Sequence, residues 1–61
     1  HSMQYAIVEK ANKLAVHGLF DTLERAKRHL DVNIPFYLEK SLFDNKALTA
    51  DSFEVVETRA A

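Results

Sequence analysis

The absence of cysteine from a chain of only 61 residues is the feature that most constrains its fold. A domain this small buries only about 60% of the surface that its unfolded chain exposes, so it usually adds disulfides, a metal or a partner surface. Without cysteine, disulfides and thiolate metal sites are excluded. The sequence therefore favours association with another surface as the supplement to a small core.

The composition is that of an ordinary globular chain. Apolar residues make up 48% of it and charged residues 28%, with a net charge of -1. A dedicated nucleic-acid binder usually carries a basic excess, which this chain lacks. No apolar run approaches the roughly 20 residues of a membrane span, and no charged-then-apolar leader is present. We expect a cytoplasmic protein without a membrane partner.

Three segments rich in β-branched and aromatic residues predict strands at 4–10, 14–20 and 53–58. The first two form a hairpin whose turn is expected at 11–13, with Asn12 at a positive φ angle.

One domain is expected over residues 4–58. His1 and Ser2 have the character of an expression-tag remnant, and residues 59–61 are expected to fray.

A helix is predicted to begin directly after the second strand. Asp21 offers an N-cap side chain, and Glu24 follows three residues later as a capping-box partner. The apolar residues of this segment recur at helical spacing and form one stripe: Leu23, Ala26, Leu30 and Ile34.

Pro35 interrupts the helical pattern. Because proline inside a helix removes a hydrogen bond and clashes with the preceding turn, we expect a kink or a restart there. A second helical piece is predicted to begin at Pro35 and to run through Phe43, and a single capped turn is expected at 49–52.

These elements predict an α+β domain of β-β-α-β order. One helical crossover returns the third strand antiparallel to the first, which gives the sheet order 2-1-3 with the kinked helix on one face. The first strand is then central, and its consecutive apolar residues, Tyr5 to Val8, suit that position.

The second face of this sheet is expected to be apolar as well. Ala6 and Val8 point away from Tyr5 and Ile7, and the second strand carries apolar residues on both sides. Because contiguous apolar surface usually marks an interaction site, we expect a homodimer or a complex with another protein. The alternative is that the segment after Pro35 folds over this surface and closes the core of a monomer.

The residues expected to contribute to such an interaction lie on the helix and in the aromatic segment after it: Arg25, Arg28, Val32, Tyr37 and Phe43. Tyr37 is the aromatic side chain most expected to be exposed.

A nucleic-acid-binding accessory or regulatory protein is the alternative function. It would use a basic outer helix face made of Arg25, Lys27, Arg28 and His29, since phosphate contacts require only cations on one face. Glu24 and Asp31 flank this patch and weaken its field.

The sequence contains no pattern that predicts catalysis, a metal site, a cofactor or a small-molecule substrate. His17 and His29 have no recognised ligand spacing, and Ser41 and Ser52 lack a nucleophile motif. No motif identifies a family. We therefore expect a non-enzymatic protein.

Overall fold

A computed structural model describes residues 3–59 as a three-stranded antiparallel sheet and one helix. The strands are β1 (Met3–Glu9), β2 (Asn12–Phe20) and β3 (Phe53–Arg59), in the order β2-β1-β3. The predicted α+β class and sheet order are confirmed. The expected tag remnant and the end of the expected frayed tail, residues 1–2 and 60–61, lie outside the described residues.

The helix runs from residue 23 to residue 39 in three consecutive parts. These are α1 (Leu23–Arg28), a π-helical turn (His29–Asn33) and α2 (Ile34–Glu39). In the π-helical turn the Ile34 N–H donates to the His29 carbonyl, five residues earlier. Within residues 3–59, no helix has the length and apolar character that crossing a bilayer requires.

The helix begins one residue later than the sequence predicts. Thr22 rather than Asp21 is the N-cap, and its Oγ1 accepts a hydrogen bond of 3.1 Å from the Arg25 N–H. Asp21 instead lies 3.7 Å from the Arg25 guanidinium as an exposed i,i+4 ion pair. A threonine hydroxyl satisfies a free helix N–H as well as a carboxylate does, so the two adjacent candidates compete for the cap.

The irregularity expected near Pro35 takes the form of the π-helical turn. Pro35 lies near the start of α2, which directly follows the π-helical turn. The chain does not stop there, however, and the backbone stays helical on both sides. We attribute the wide turn to the proline ring, which needs room against the carbonyl four residues before it.

The helix ends at Glu39, so the predicted extension through Phe43 is wrong. Ser41 adopts a φ of 56°, the left-handed conformation that terminates many helices, and the Leu42 N–H donates to the Tyr37 carbonyl. Residues 42 and 43 consequently belong to the connection that leads to β3.

The predicted turn at 49–52 is confirmed as a 3₁₀ turn, Ala50–Ser52. Its capping box joins Thr49 and Ser52, with the Thr49 N–H donating to Ser52 Oγ over 2.9 Å.

The hairpin turn is shorter than predicted. Lys10 and Ala11 form it, and Asn12 is the first residue of β2 without a positive φ angle. The Asn12 side chain accepts a hydrogen bond from the Leu14 N–H at 3.1 Å, so Asn12 supports the turn through its side chain rather than its backbone.

The core lies between the helix and one face of the sheet. Ile7 from β1, Ile34 from α2 and Phe53 from β3 are its buried centre. Partly buried side chains surround them: Phe20, Leu30, Tyr37, Leu38, Phe43, Leu48 and Val55. The helix thus covers only the face to which Ile7 points.

Candidate interaction surface

The face of the sheet that points away from the helix carries an apolar surface, which we call the open face. Because side chains alternate along a strand, Ala6 and Val8 lie on the side opposite Ile7. Their cross-strand partners share that side. Ala6 pairs with Leu19 and Val56, and Val8 pairs with Val16 and Glu54.

The centre of the open face is buried, whereas its β2 side is exposed. Val8 is 1% exposed, whereas Val16 and Leu19 on β2 are 51% and 59% exposed. Leu14, two residues before Val16, is 90% exposed. The open face therefore presents branched aliphatic side chains to solvent along β2.

A bulge in β2 places these apolar residues together. Ile7 pairs with Gly18 and Val8 with Val16, so His17 is an extra residue on β2. The bulge turns the His17 side chain toward the core and keeps Val16 and Leu19 on the same face, although they are three residues apart.

The open face is electrically balanced. Glu54, opposite Val8, forms an ion pair with Lys13 from the start of β2. These opposite charges leave the surface without a net sign, so an identical surface facing it would meet no net repulsion.

The shape of the chain agrees with an uncovered sheet. Its principal extents are 36 × 21 × 15 Å, which describe a flat molecule of two layers. The accessible surface of 4543 Å² exceeds the roughly 4,000 Å² expected for a globular monomer of this mass.

The residues expected on the outer helix face are divided by the structure. Arg25 and Arg28 are exposed and line one depression together with Thr22 and Glu24. Val32, 62% exposed, lies further along on the π-helical turn. Arg25 is paired with Asp21, and Glu24 lies beside both arginines, so acidic groups dilute this basic surface.

His29 does not join the basic surface. Its ring lies 5.0 Å from the Phe20 ring and 6.0 Å from the Tyr37 ring, measured between centroids. Its Nε2 atom is buried without a hydrogen-bond partner among the described residues. Burial desolvates the charged imidazolium and lowers the pKa of His29 below its ordinary value. His29 thus packs against the rings of Phe20 and Tyr37 instead of extending the basic surface.

Tyr37 and Phe43 pack against the core rather than pointing into solvent. The Phe43 ring lies 6.0 Å from Tyr37, 5.2 Å from His17 and 5.4 Å from Phe53. The expectation that Tyr37 is the exposed aromatic residue is therefore wrong. The early end of the helix at Glu39 explains the position of Phe43, because the connection folds it back over the sheet.

Phe36 is the exposed aromatic residue that the sequence analysis missed. It is 50% exposed, and the Lys40 ammonium lies 5.7 Å above its ring. This cation–π contact could have been predicted from the sequence, because Phe36 and Lys40 have the i,i+4 spacing of neighbours on a helix surface. A partner that approached the helix side at Phe36 would therefore also meet the Lys40 cation.

His17 pairs with Glu9. Its Nε2 atom lies 2.8 Å from Glu9 Oε2, and both side chains are partly buried. They border an open depression of about 290 Å³ whose other walls are Leu42, Phe43, Asp44, Asn45 and Leu48. Within residues 3–59, no three His, Asp or Glu side chains are grouped to hold a metal ion.

Comparison of the chain with known protein families, with curated proteins and with solved structures finds no match.

Proposed function

We propose that this protein is a small non-enzymatic module that acts by binding protein surfaces, and that its principal partner is a second copy of itself. The open face carries the proposal. It exposes Leu14, Val16 and Leu19 along β2, and contiguous apolar surface on a small protein usually marks an interaction site.

A second copy suits this surface because of its charge. With Lys13 and Glu54 as its charged pair, the open face has no net charge, so a second copy related by a two-fold axis would meet no net repulsion there. Two sheets that meet in this way pack about 10 Å apart and interdigitate their aliphatic side chains.

The size of the open face implies weak association. Three strands at about 4.8 Å spacing and seven residues at about 3.4 Å rise cover roughly 340 Å². A standard interface buries about 800 Å² of each partner. We therefore expect a dimer that forms and dissociates with concentration rather than a permanent one.

The same substitution, to lysine, on each of the two sides of the molecule tests the proposal. Leu19→Lys places a charge in the open face, and Val32→Lys places the same charge on the helix side at nearly the same exposure. Leu19→Lys should weaken association through the open face and lower the weight-average mass in sedimentation experiments, because a lysine ammonium cannot be buried unpaired at low cost. Val32→Lys should leave association unchanged.

The reverse pattern, with loss of association in Val32→Lys alone, would assign the interface to the helix side and contradict the proposal. Circular dichroism should show that both variants are folded, since both positions are more than half exposed.

We expect the protein to act in the cytoplasm, a location that the absence of cysteine supports.

A further inference from the structure

The outer edge of β3 lacks several of the features that normally prevent edge strands from pairing, although it carries three charged side chains, Glu54, Glu57 and Arg59. β3 is paired with β1 along all seven of its residues without a register shift. It contains no proline and no lysine. The opposite edge strand, β2, has two register shifts and a glycine. Bulges and interruptions of that kind protect an edge, so β2 is better protected than β3.

The register of β1 and β3 shows which backbone groups of β3 point outward. The Lys10 N–H donates to the Ser52 carbonyl over 2.8 Å, just beyond the end of the strand pair. Hydrogen-bonded pairs alternate along an antiparallel ladder, so the bonded pairs toward β1 include Glu54, Val56 and Thr58. The residues between them direct their N–H and C=O groups away from the sheet: Phe53, Val55, Glu57 and Arg59.

These outward groups have no backbone partner within residues 3–59. The backbone hydrogen bonds of turns and connections involve no residue of β3, and β3 is at the end of the strand order. The four outward residues, which alternate along β3, therefore offer N–H donors and C=O acceptors at the regular spacing of a strand.

We propose that β3 pairs antiparallel with β3 of a second copy, about a two-fold axis at Val56, to give a continuous six-stranded sheet. This register sets Phe53 opposite the partner's Arg59 and Val55 opposite the partner's Glu57. All four outward residues of each copy then meet outward residues of the other, which forms about eight hydrogen bonds. No like charges lie directly opposite, because Glu54 faces the partner's Thr58.

Edge pairing extends the self-association proposed above to a separate surface and stands on its own observations. It also compensates for the small open face, since two joined sheets present roughly twice the single area of about 340 Å². The doubled surface approaches the area that a standard interface buries on each partner.

Hydrogen exchange tests the edge without interference from the open face. We would use the Leu19→Lys variant, in which the open face carries a charge, and follow individual amides by NMR. The outward amides of Val55, Glu57 and Arg59 should exchange at least tenfold more slowly at millimolar than at low micromolar concentration. Equal rates at both concentrations would overturn edge pairing.

Glu57→Pro provides the matching disruption. It removes an outward N–H without touching the bonds to β1, a position that edge strands tolerate. In the Leu19→Lys background it should convert the remaining dimer to monomer, whereas Glu57→Ala, which keeps the N–H, should retain the dimer. A dimer that persists in Glu57→Pro would overturn the proposal. Failure of the open-face proposal would be seen separately, as a mass that Leu19→Lys does not change.

Discussion

His29 is a titratable side chain that packs among aromatic rings. Among residues 3–59 its buried Nε2 atom has no hydrogen-bond partner, its ring lies beside those of Phe20 and Tyr37, and burial lowers its pKa. In the unfolded chain the pKa of histidine is about 6.5. Below that pH the unfolded chain binds the proton before the folded chain does, so folding stability must decrease.

We expect urea denaturation to show a lower free energy of unfolding at pH 5.5 than at pH 7.5. The variant His29→Phe, which keeps a ring between Phe20 and Tyr37 but cannot titrate, should lose part of this difference. If wild type and His29→Phe respond equally to pH over this range, His29 is not the source of the effect.

Gly18 is required by the ring of Phe20. A Cβ atom at position 18 would lie 2.7 and 2.9 Å from two atoms of that ring, closer than carbon atoms approach. The ring cannot move freely because it also packs against His29.

Gly18→Ala should therefore destabilise the fold by about 1–3 kcal/mol, the usual cost of overpacking. Chemical denaturation measures it, and Phe20→Leu should remove most of the penalty in a double-mutant cycle. If Gly18→Ala lowers the free energy of unfolding equally in the wild type and in the Phe20→Leu variant, the contact with the Phe20 ring is unimportant.

At the scale of elements, two adjacent residues at the start of the helix, Asp21 and Thr22, have different roles although both could cap it. Thr22 accepts from the Arg25 N–H, while Asp21 only forms an exposed ion pair with the Arg25 side chain. Loss of an N-cap costs about 1 kcal/mol, and exposed ion pairs contribute little.

Thr22→Ala should lower the free energy of unfolding by about 1 kcal/mol, and Asp21→Ala should have a clearly smaller effect. Thermal or urea denaturation of the two variants side by side makes the comparison. A larger loss for Asp21→Ala would return the cap to Asp21, as the sequence alone predicted.

The elements themselves could be predicted from the sequence because their signals are local. Apolar runs indicate the three strands, and a single helical crossover that returns β3 antiparallel to β1 favours the order 2-1-3. The boundaries were harder to predict. The helix ends at Glu39 because Ser41 adopts a positive φ angle, and serine has no preference for positive φ from which this could be predicted.

At the scale of the whole molecule, the apolar second face was predictable from alternation, but its membership was not. Strict alternation would place Val16 and Leu19 on opposite faces, and the bulge at His17 unites them. Likewise, the exposure of Phe36 and the burial of Tyr37 depend on how the helix is rotated against the sheet. Rotation is decided by packing over the whole core, which no local pattern specifies.

The flat shape of the molecule leaves one face of its sheet uncovered, and we therefore propose that the chain associates with itself. The most direct test is sedimentation equilibrium of the unmodified chain from low micromolar to millimolar concentration. We predict a weight-average mass that increases from the monomer value of 7.0 kDa to at least twice that value. A mass that stays at the monomer value up to millimolar concentration, in a cooperatively folded protein, would contradict the claim and leave the open face as an unpartnered surface.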